Sequence, residues 1–519
     1  MKFFKPVLLV LMLLIFGIEN ALSQNPSVAL DSVIHSYENH EGYDHKLYLL
    51  GLSTKAYYKS EAEFAQKTLK ELSKIDTTNL TETDHISSEL LAFVLQDQID
   101  FYTFEQYLNP ILSDSGFHSD LTYLVRPLAN YSQVRDYLQK LNAIPEFVNQ
   151  NFENIREGLV KGVSQPLVIF KGYESTYDAN IVADYKDSFY YSPFKNLPND
   201  FTATQKDSVL NAAKIAIETN VTPQFKRIKT FFETEYFPKT RTTLGISETP
   251  NGKEFYQNRI NFYTTSTQYT AEDIHQIGLK EVARIKSEME KIIKDLNFKG
   301  SFADFLHFLR TDKQFYAKTP KELLMIARDI AKRIDAQLPR YFKTLPRKPY
   351  GVAPVPDAIA PKYTGGRYIG TFKESTEPGY FWVNTYDLPS RTLYTLPSLT
   401  AHEAVPGHHL QGSLNNELGD SIPQFRKNLY LSAYGEGWGL YSEYLADEMG
   451  IYRTPYEQFG KLTYEMWRAC RLVVDTGIHA KGWTREQVVD YMSKNTALSL
   501  HEINTETDRY ISWPGQALS

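Results

Sequence analysis

The chain has 519 residues, is 42% hydrophobic and 23% charged, and carries a formal charge of −6. That is the composition of an ordinary globular chain able to bury a large core, as one helical unit or two lobes. Its mild acidity, without a concentrated basic stripe, argues against a nucleic-acid partner, and its single cysteine excludes an intramolecular disulfide.

In chain order, Lys2 and Lys5 precede an apolar run from Pro6 to Ile18, and Ala21-Leu22-Ser23 reads as a small-residue cleavage site. Residues 1–23 are therefore expected to be a signal peptide cut after Ser23. Its loss, with Lys2, Lys5 and Glu19, leaves a net charge of about −7 and a periplasmic or secreted chain. The apolar run is too short for a membrane span, and no cysteine stands at the junction to carry a lipid. Helical periodicity covers Ser60–Ile75, Gln133–Gly162, Gln205–Glu235, Thr270–Leu296 and Pro320–Leu338. Thr270 with Asp273 resembles a capping box, and Pro320 suits a first helical turn. Pro- and Gly-rich text from Leu345 to Pro378 marks the main irregular stretch. The expected organisation is a single, mainly α domain over 24–519, with a small β element beside the motif described next.

That β element is Pro378–Asp387, where aromatic and β-branched residues follow a turn. Alternate strand residues share a face, so Tyr380 and Asn384 are candidates to meet an extended peptide pairing with the sheet edge; one buried hairpin without substrate contact fits the pattern equally. Next comes Thr400-Ala-His402-Glu403-Ala-Val-Pro406-Gly407-His408-His409, which gathers three of the twelve histidines and a carboxylate. Neutral imidazole suits zinc, and a glutamate beside it can take a proton from water activated by the ion. The i, i+4 spacing of an HExxH helix fails here because Pro406 occupies the fourth position. On an uninterrupted helix, His408 and His409 would lie about 9–10.5 Å along the axis from His402, too far to share an ion. Pro406 and Gly407 permit a bulge that loops out two residues. His402 and His408 are then the expected ligands, with His409 in reserve.

A third ligand is expected from Gly435-Glu436-Gly437-Trp438-Gly439 and the residues after it. Glu436, Glu443 and Asp447 recur on one helical face. Glu436, between glycines, is the expected ligand, and Glu443 the carboxylate that orients a ligating histidine. Downstream, Arg471, Asp475 and His479 share a face. Asp475 is a candidate to orient His479 or a ligating histidine, and His479 a candidate oxyanion donor. A buried Arg–Asp–His brace between helices explains the same spacing.

The stretches PSLTAHEAVPGHHLQ, YGEGWGLYSEYLADEMG and RLVVDTGIHAKGWTREQVVDYM resemble the hallmarks of a large bacterial family known only as a domain of unknown function. That family is similar to the helical zinc peptidases grouped with angiotensin-converting enzyme, thimet oligopeptidase and the Taq-type carboxypeptidase. The resemblance implies a large helical zincin-like fold with a deep cleft and a Zn²⁺ cofactor. It implies an exported metallopeptidase that takes short peptides. Matching Gly407-His408 to the Gly-His of the HExGH peptidase motif favours His408 over His409, although the two-residue insertion departs from that motif. The resemblance also offers Tyr510 as a donor to the tetrahedral intermediate; Arg509 beside it is a candidate clamp for a substrate carboxylate, and simple packing before the Pro514-Gly515 turn explains both residues as well. Family members usually continue for several dozen residues beyond Gln516, so a truncated product is an expectation as well. A metal hydrolase of non-peptide amides or esters, and a silent exported binding protein, are the competing readings.

Overall fold

The computed structural model describes residues 25–197, 201–357, 360, 363–371 and 377–519; the expected signal peptide lies outside them. The described residues are mainly helical, with one three-stranded sheet. The chain divides into two compact units. One comprises Met1–Arg241 with Pro423–Arg426, the other Thr242–Ile422 with Lys427–Ser519.

The first unit holds α1 (Pro26–Glu38), α2 (Lys55–Leu72), α3 (Glu82–Thr103), α4 (Tyr131–Val160), α5 (Ala203–Ala216) and α6 (Thr222–Phe231). In α4, buried Val134, Tyr137, Leu141, Ile144 and Val148 recur at three- and four-residue spacing, so one stripe faces the core. The helix expected over Gln205–Glu235 is continuous but widened twice into π turns, Ile217–Val221 and Phe232–Tyr236. Pro223 and Pro238 follow these turns. A proline lacks an N–H and crowds the preceding turn, and one wider turn relieves that clash without ending the helix.

The second unit begins with α7 (Gly252–Thr264), α8 (Ala271–Asp295), α9 (Phe302–Thr311) and α10 (Pro320–Asp335). Thr270 and Asp273 form a reciprocal capping box at the start of α8, and Thr319 caps α10 ahead of Pro320. The chain then enters β1 (Tyr350–Pro354), β2 (Gly366–Ile369) and β3 (Gly379–Val383). Strand β3 is central, parallel to β1 and antiparallel to β2. Six helices complete the unit: α11 (Leu396–Glu403), α12 (His408–Asn416), α13 (Ser432–Glu448), α14 (Pro455–Lys481), α15 (Arg485–Asn495) and α16 (Leu500–Ser512). A Cβ at Gly278 would stand 2.8 Å from Leu472 and Val473, so glycine lets α8 lie directly on α14. Around α11, Ala327 and Ile330 from α10, Phe381 and Val383 from β3, and Leu445 and Ala446 from α13 close one apolar cluster. Helix α11 is thereby held on three sides, which fixes the side chains at its C-terminal end.

Candidate metal centre

Helix α11 stops at Glu403. The Val405–Pro406 peptide is cis, and α12 restarts at His408. The Gly407 N–H donates to Ala401 O at 3.0 Å and the His409 N–H to Ala404 O at 3.0 Å, so the interruption is a closed, hydrogen-bonded loop. A Cβ at Gly407 would lie 1.8 Å from His402 O, which demands glycine there. Trp438 Nε1 donates to Pro406 O at 2.8 Å and ties the loop to α13. The interruption does what the sequence pattern asked of it. The His402 and His408 rings meet with centroids 4.7 Å apart, perpendicular to each other.

Glu436 completes the group. One ligand atom from each of His402, His408 and Glu436 lies within 4.8 Å of the other two. His402 Nε2 is 3.4 Å from Glu436 Oε2, and His408 Nε2 is 3.8 Å from Glu436 Oε1. Two ligands on a tetrahedral zinc, each bonded at about 2.0–2.1 Å, are separated by roughly 3.3–3.4 Å. The donor set of two imidazoles and a carboxylate therefore fits zinc in chemistry and approximately in spacing. His402 turns its other nitrogen, Nδ1, to Glu443 Oε1 at 2.8 Å, as expected for a carboxylate that orients a ligand. Arg468 Nη2 lies 3.2 Å from that same oxygen, while Glu443 Oε2 is buried without a protein partner.

The three side chains shift one another's titration. Burial pushes the His402 imidazole down, but its bonds to Glu436 and Glu443 outweigh that and carry it up to about 9. Burial acts to raise Glu436, and His402 and His408 reverse this, holding the carboxylate well below its usual range. His408 is displaced downward by burial and by its neighbour His402. A proton on His402 thus sits where a metal ion would have to displace it.

Glu403, next to His402, accepts the Tyr368 N–H at 2.8 Å on Oε2, which fastens its carboxylate to strand β2. That strand lies at the edge of the sheet.

With this geometry in view, the family match is informative. Residues 40–519 match the model of a family described as bacterial protein of unknown function, DUF885. The chain belongs to that family. No curated protein matches it. A crystal structure of a candidate lipoprotein from Colwellia psychrerythraea is similar at a TM-score of 0.80 and 26% identity, over 89% of this chain and 82% of that one. A candidate lipoprotein of unknown function from Shewanella oneidensis shares the fold at a TM-score of 0.63 and 17% identity, over 96% of this chain and 89% of that one.

Other residues singled out in the sequence lie elsewhere. His409 turns to the sheet, with Nδ1 against Tyr368 Oη at 2.9 Å and its ring beside Tyr350; burial pushes it down to about 4. His479 is wholly buried, accepting the Ile246 N–H on Nδ1 and facing Tyr510 O with Nε2, so neither nitrogen is left for an oxyanion. Asp475 accepts from Tyr256 Oη at 2.6 Å and from the Gly515 N–H, and orients neither histidine. Burial raises its carboxyl to about 7. Arg471 donates to Ala517 O. This stretch of α14 is the structural brace that its spacing also allowed. Tyr510 is buried with its hydroxyl accepting the Trp467 Nε1–H, and Arg509 is held by Glu506 and Gln516. Asn384 lies just beyond β3, where its amide donates to the carbonyls of Ala360, Tyr363 and Thr364; it staples a loop. Tyr380 sits on the central strand rather than the edge.

Two contributors carried no motif. A Cβ at Gly439 would stand 2.4 Å from His402 Cε1, so this glycine is the surface on which the His402 ring lies. Its signal was its position, on the face shared by Glu436 and Glu443. Tyr430, in the loop before α13, points its hydroxyl at Glu436 Oε1, 3.1 Å away, although the residue is 60% exposed. Nothing in its sequence context marks it.

Proposed function

We propose that the protein is an exported zinc-dependent hydrolase, a metallopeptidase of the helical zincin type that cleaves short peptides. The observation that carries this reading is the convergence of His402, His408 and Glu436 across a broken helix, backed by buried Glu443 on the first ligand. His402, His408 and Glu436 would hold the ion, which when bound supplies Lewis acidity to polarise a substrate carbonyl. Glu403 takes the proton of the attacking water and returns it to the leaving nitrogen. Its bond to the Tyr368 N–H keeps the carboxylate aimed without a side-chain partner that would compete for the proton. Tyr430, with its hydroxyl already at the centre, is better disposed than His479 or Tyr510 to donate to a developing oxyanion.

A peptide substrate is favoured over other amides and esters by edge strand β2, whose backbone runs beside Glu403 and can pair with an extended chain. Export is supported by the expected leader and by the lipoprotein descriptions of similar structures. Among the described residues no helix is long and apolar enough to cross a membrane. Metal content by mass spectrometry comes first, beside His402→Ala. About one zinc per chain, lost in the variant, supports the centre; no zinc in folded, zinc-reconstituted protein defeats it. Glu403→Gln should then keep zinc and lose turnover on a short-peptide library. Wild-type turnover by that variant, or activity confined to an ester panel, would refute the peptidase mechanism.

A further inference from the structure

Near the N-terminal end of α11 lies a cavity of about 320 Å³, at the small end of the roughly 300–1,000 Å³ that enclose small ligands. Leu323, Val383, Leu396 and Leu399 give it an apolar wall. Leu399 precedes Glu403 by four residues, about 6 Å along the helix axis.

Three charged side chains reach this space, and they are not alike. Arg310 is spent, donating to Leu498 O at 3.0 Å and Thr496 O at 2.6 Å. Arg391 and Glu502 are not. The Arg391 Nε is buried and has no hydrogen-bond partner. Neither the Arg391 guanidinium nor the Glu502 carboxylate makes a side-chain hydrogen bond among the described residues, and the two form no salt bridge with each other. Arg391 is carried by the loop after the short turn Leu388–Ser390, and Glu502 by the first turn of α16. Their backbones come from separate elements, and both side chains line the same space. Burial penalises both: it lowers Arg391, and it raises the Glu502 carboxyl to about 7, with Glu506 adding to that rise; the attraction between Arg391 and Glu502 offsets this only in part. Opposite charges lining one half-buried site normally pair, because a charge without a close partner in a poorly solvated site is unfavourable. Two that line one space without pairing call for a ligand bringing both counter-charges.

We propose that this cavity binds a small zwitterion, a free α-amino acid or a dipeptide, with its carboxylate on Arg391 and its ammonium group on Glu502. A guanidinium is suited to bidentate carboxylate recognition, and the apolar wall accepts an aliphatic side chain. The site needs neither metal nor hydrolysis, so it stands or falls apart from the peptidase reading.

The test is isothermal titration calorimetry on the full chain with chelator present, using L-leucine and L-alanyl-L-leucine as probes. N-acetyl-leucine and leucinamide, each lacking one charge, serve as comparisons. We expect saturable binding of at least one zwitterion, weakened about tenfold or more by either modification. Arg391→Gln should abolish the preference for acid over amide, and Glu502→Gln the preference for free over acetylated amine. The absence of saturable heat from both probes would overturn the proposal. So would equal affinity for N-acetyl-leucine and leucine, which describes a plain anion site, or folded variants that keep both preferences. If a variant fails to fold, the comparison of modified ligands on the wild-type chain still decides.

Discussion

Gly439→Ala tests the ligand geometry without touching a ligand. The added Cβ would meet His402 Cε1 at 2.4 Å, Nε2 at 2.6 Å and Nδ1 at 2.7 Å, where ordinary contact begins at 3.4 Å. The ring must therefore retreat by about 1 Å, half the length of a Zn–N bond. Disturbing only a residue that orients a ligand typically weakens metal binding ~10–100-fold, and a displaced ligand belongs at or beyond the upper end of that range. On the proposed reading, zinc at 100 times its Kd would stabilise the wild-type fold by about 2.7 kcal/mol, and a 100-fold weaker site would reduce this to ~0.4 kcal/mol. Gly437 provides the control, because a Cβ there meets nothing within 4 Å. Gly437→Ala should gain ~0.5–1 kcal/mol of helix stability and keep the full zinc increment. In Gly439→Ala the same gain is opposed by overpacking of ~1–3 kcal/mol, so the metal-free variant should be neutral to moderately destabilised. Thermal unfolding with and without zinc, with Kd from competition against a chromophoric chelator, reads both quantities. Wild-type zinc affinity in a folded Gly439→Ala variant would show that His402 does not ligate in this orientation.

Tyr430→Phe removes one hydroxyl at the centre; it should leave zinc content intact and reduce kcat by about 100–1,000-fold with little change in KM, and unchanged kcat would exclude the phenol from the reaction. His118 concerns the first unit, where burial depresses the imidazole to about 3. Below pH ~6.5 the unfolded chain takes up a proton that the folded chain refuses, so stability present above that pH is lost as pH falls toward 3, by up to about 4–5 kcal/mol. His118→Gln should flatten that acid slope in denaturant titrations, and an unaltered slope would show that the buried ring is not its source. Thr270→Ala deletes one half of the capping box on α8, with an expected loss of ~1 kcal/mol in unfolding free energy; no change would mean that packing on α14 alone sets that helix end.

Much of this molecule was legible because its cause is local. Apolar spacing along α4, α8 and α10, the cap at Thr270 and Pro320 in a first turn are short-range properties, and the helices follow from them. The centre was legible for the same reason: Pro406 and Gly407 announce a break, and a break is what brings His408 to His402. Glu443 could be assigned because a helix places it two turns beyond Glu436. Residues whose role depends on a distant partner were not readable in this way. His479, Asp475 and Arg471 share a face, which suggests a site or a brace equally well; the tertiary contacts with Ile246, Tyr256 and Ala517 decide for the brace. Asn384 and Tyr380 have the right alternation for a substrate edge, yet strand order, a nonlocal property, makes β3 central and β2 the edge beside Glu403. Sequence alone thus determined the helical class and singled out His402, His408 and Glu436, which the fold brings together. Only the tertiary structure decided that Gly439 cradles the ring, that Tyr430 reaches the carboxylate and that Arg391 and Glu502 share a cavity, because those relations join segments whose proximity no local pattern encodes.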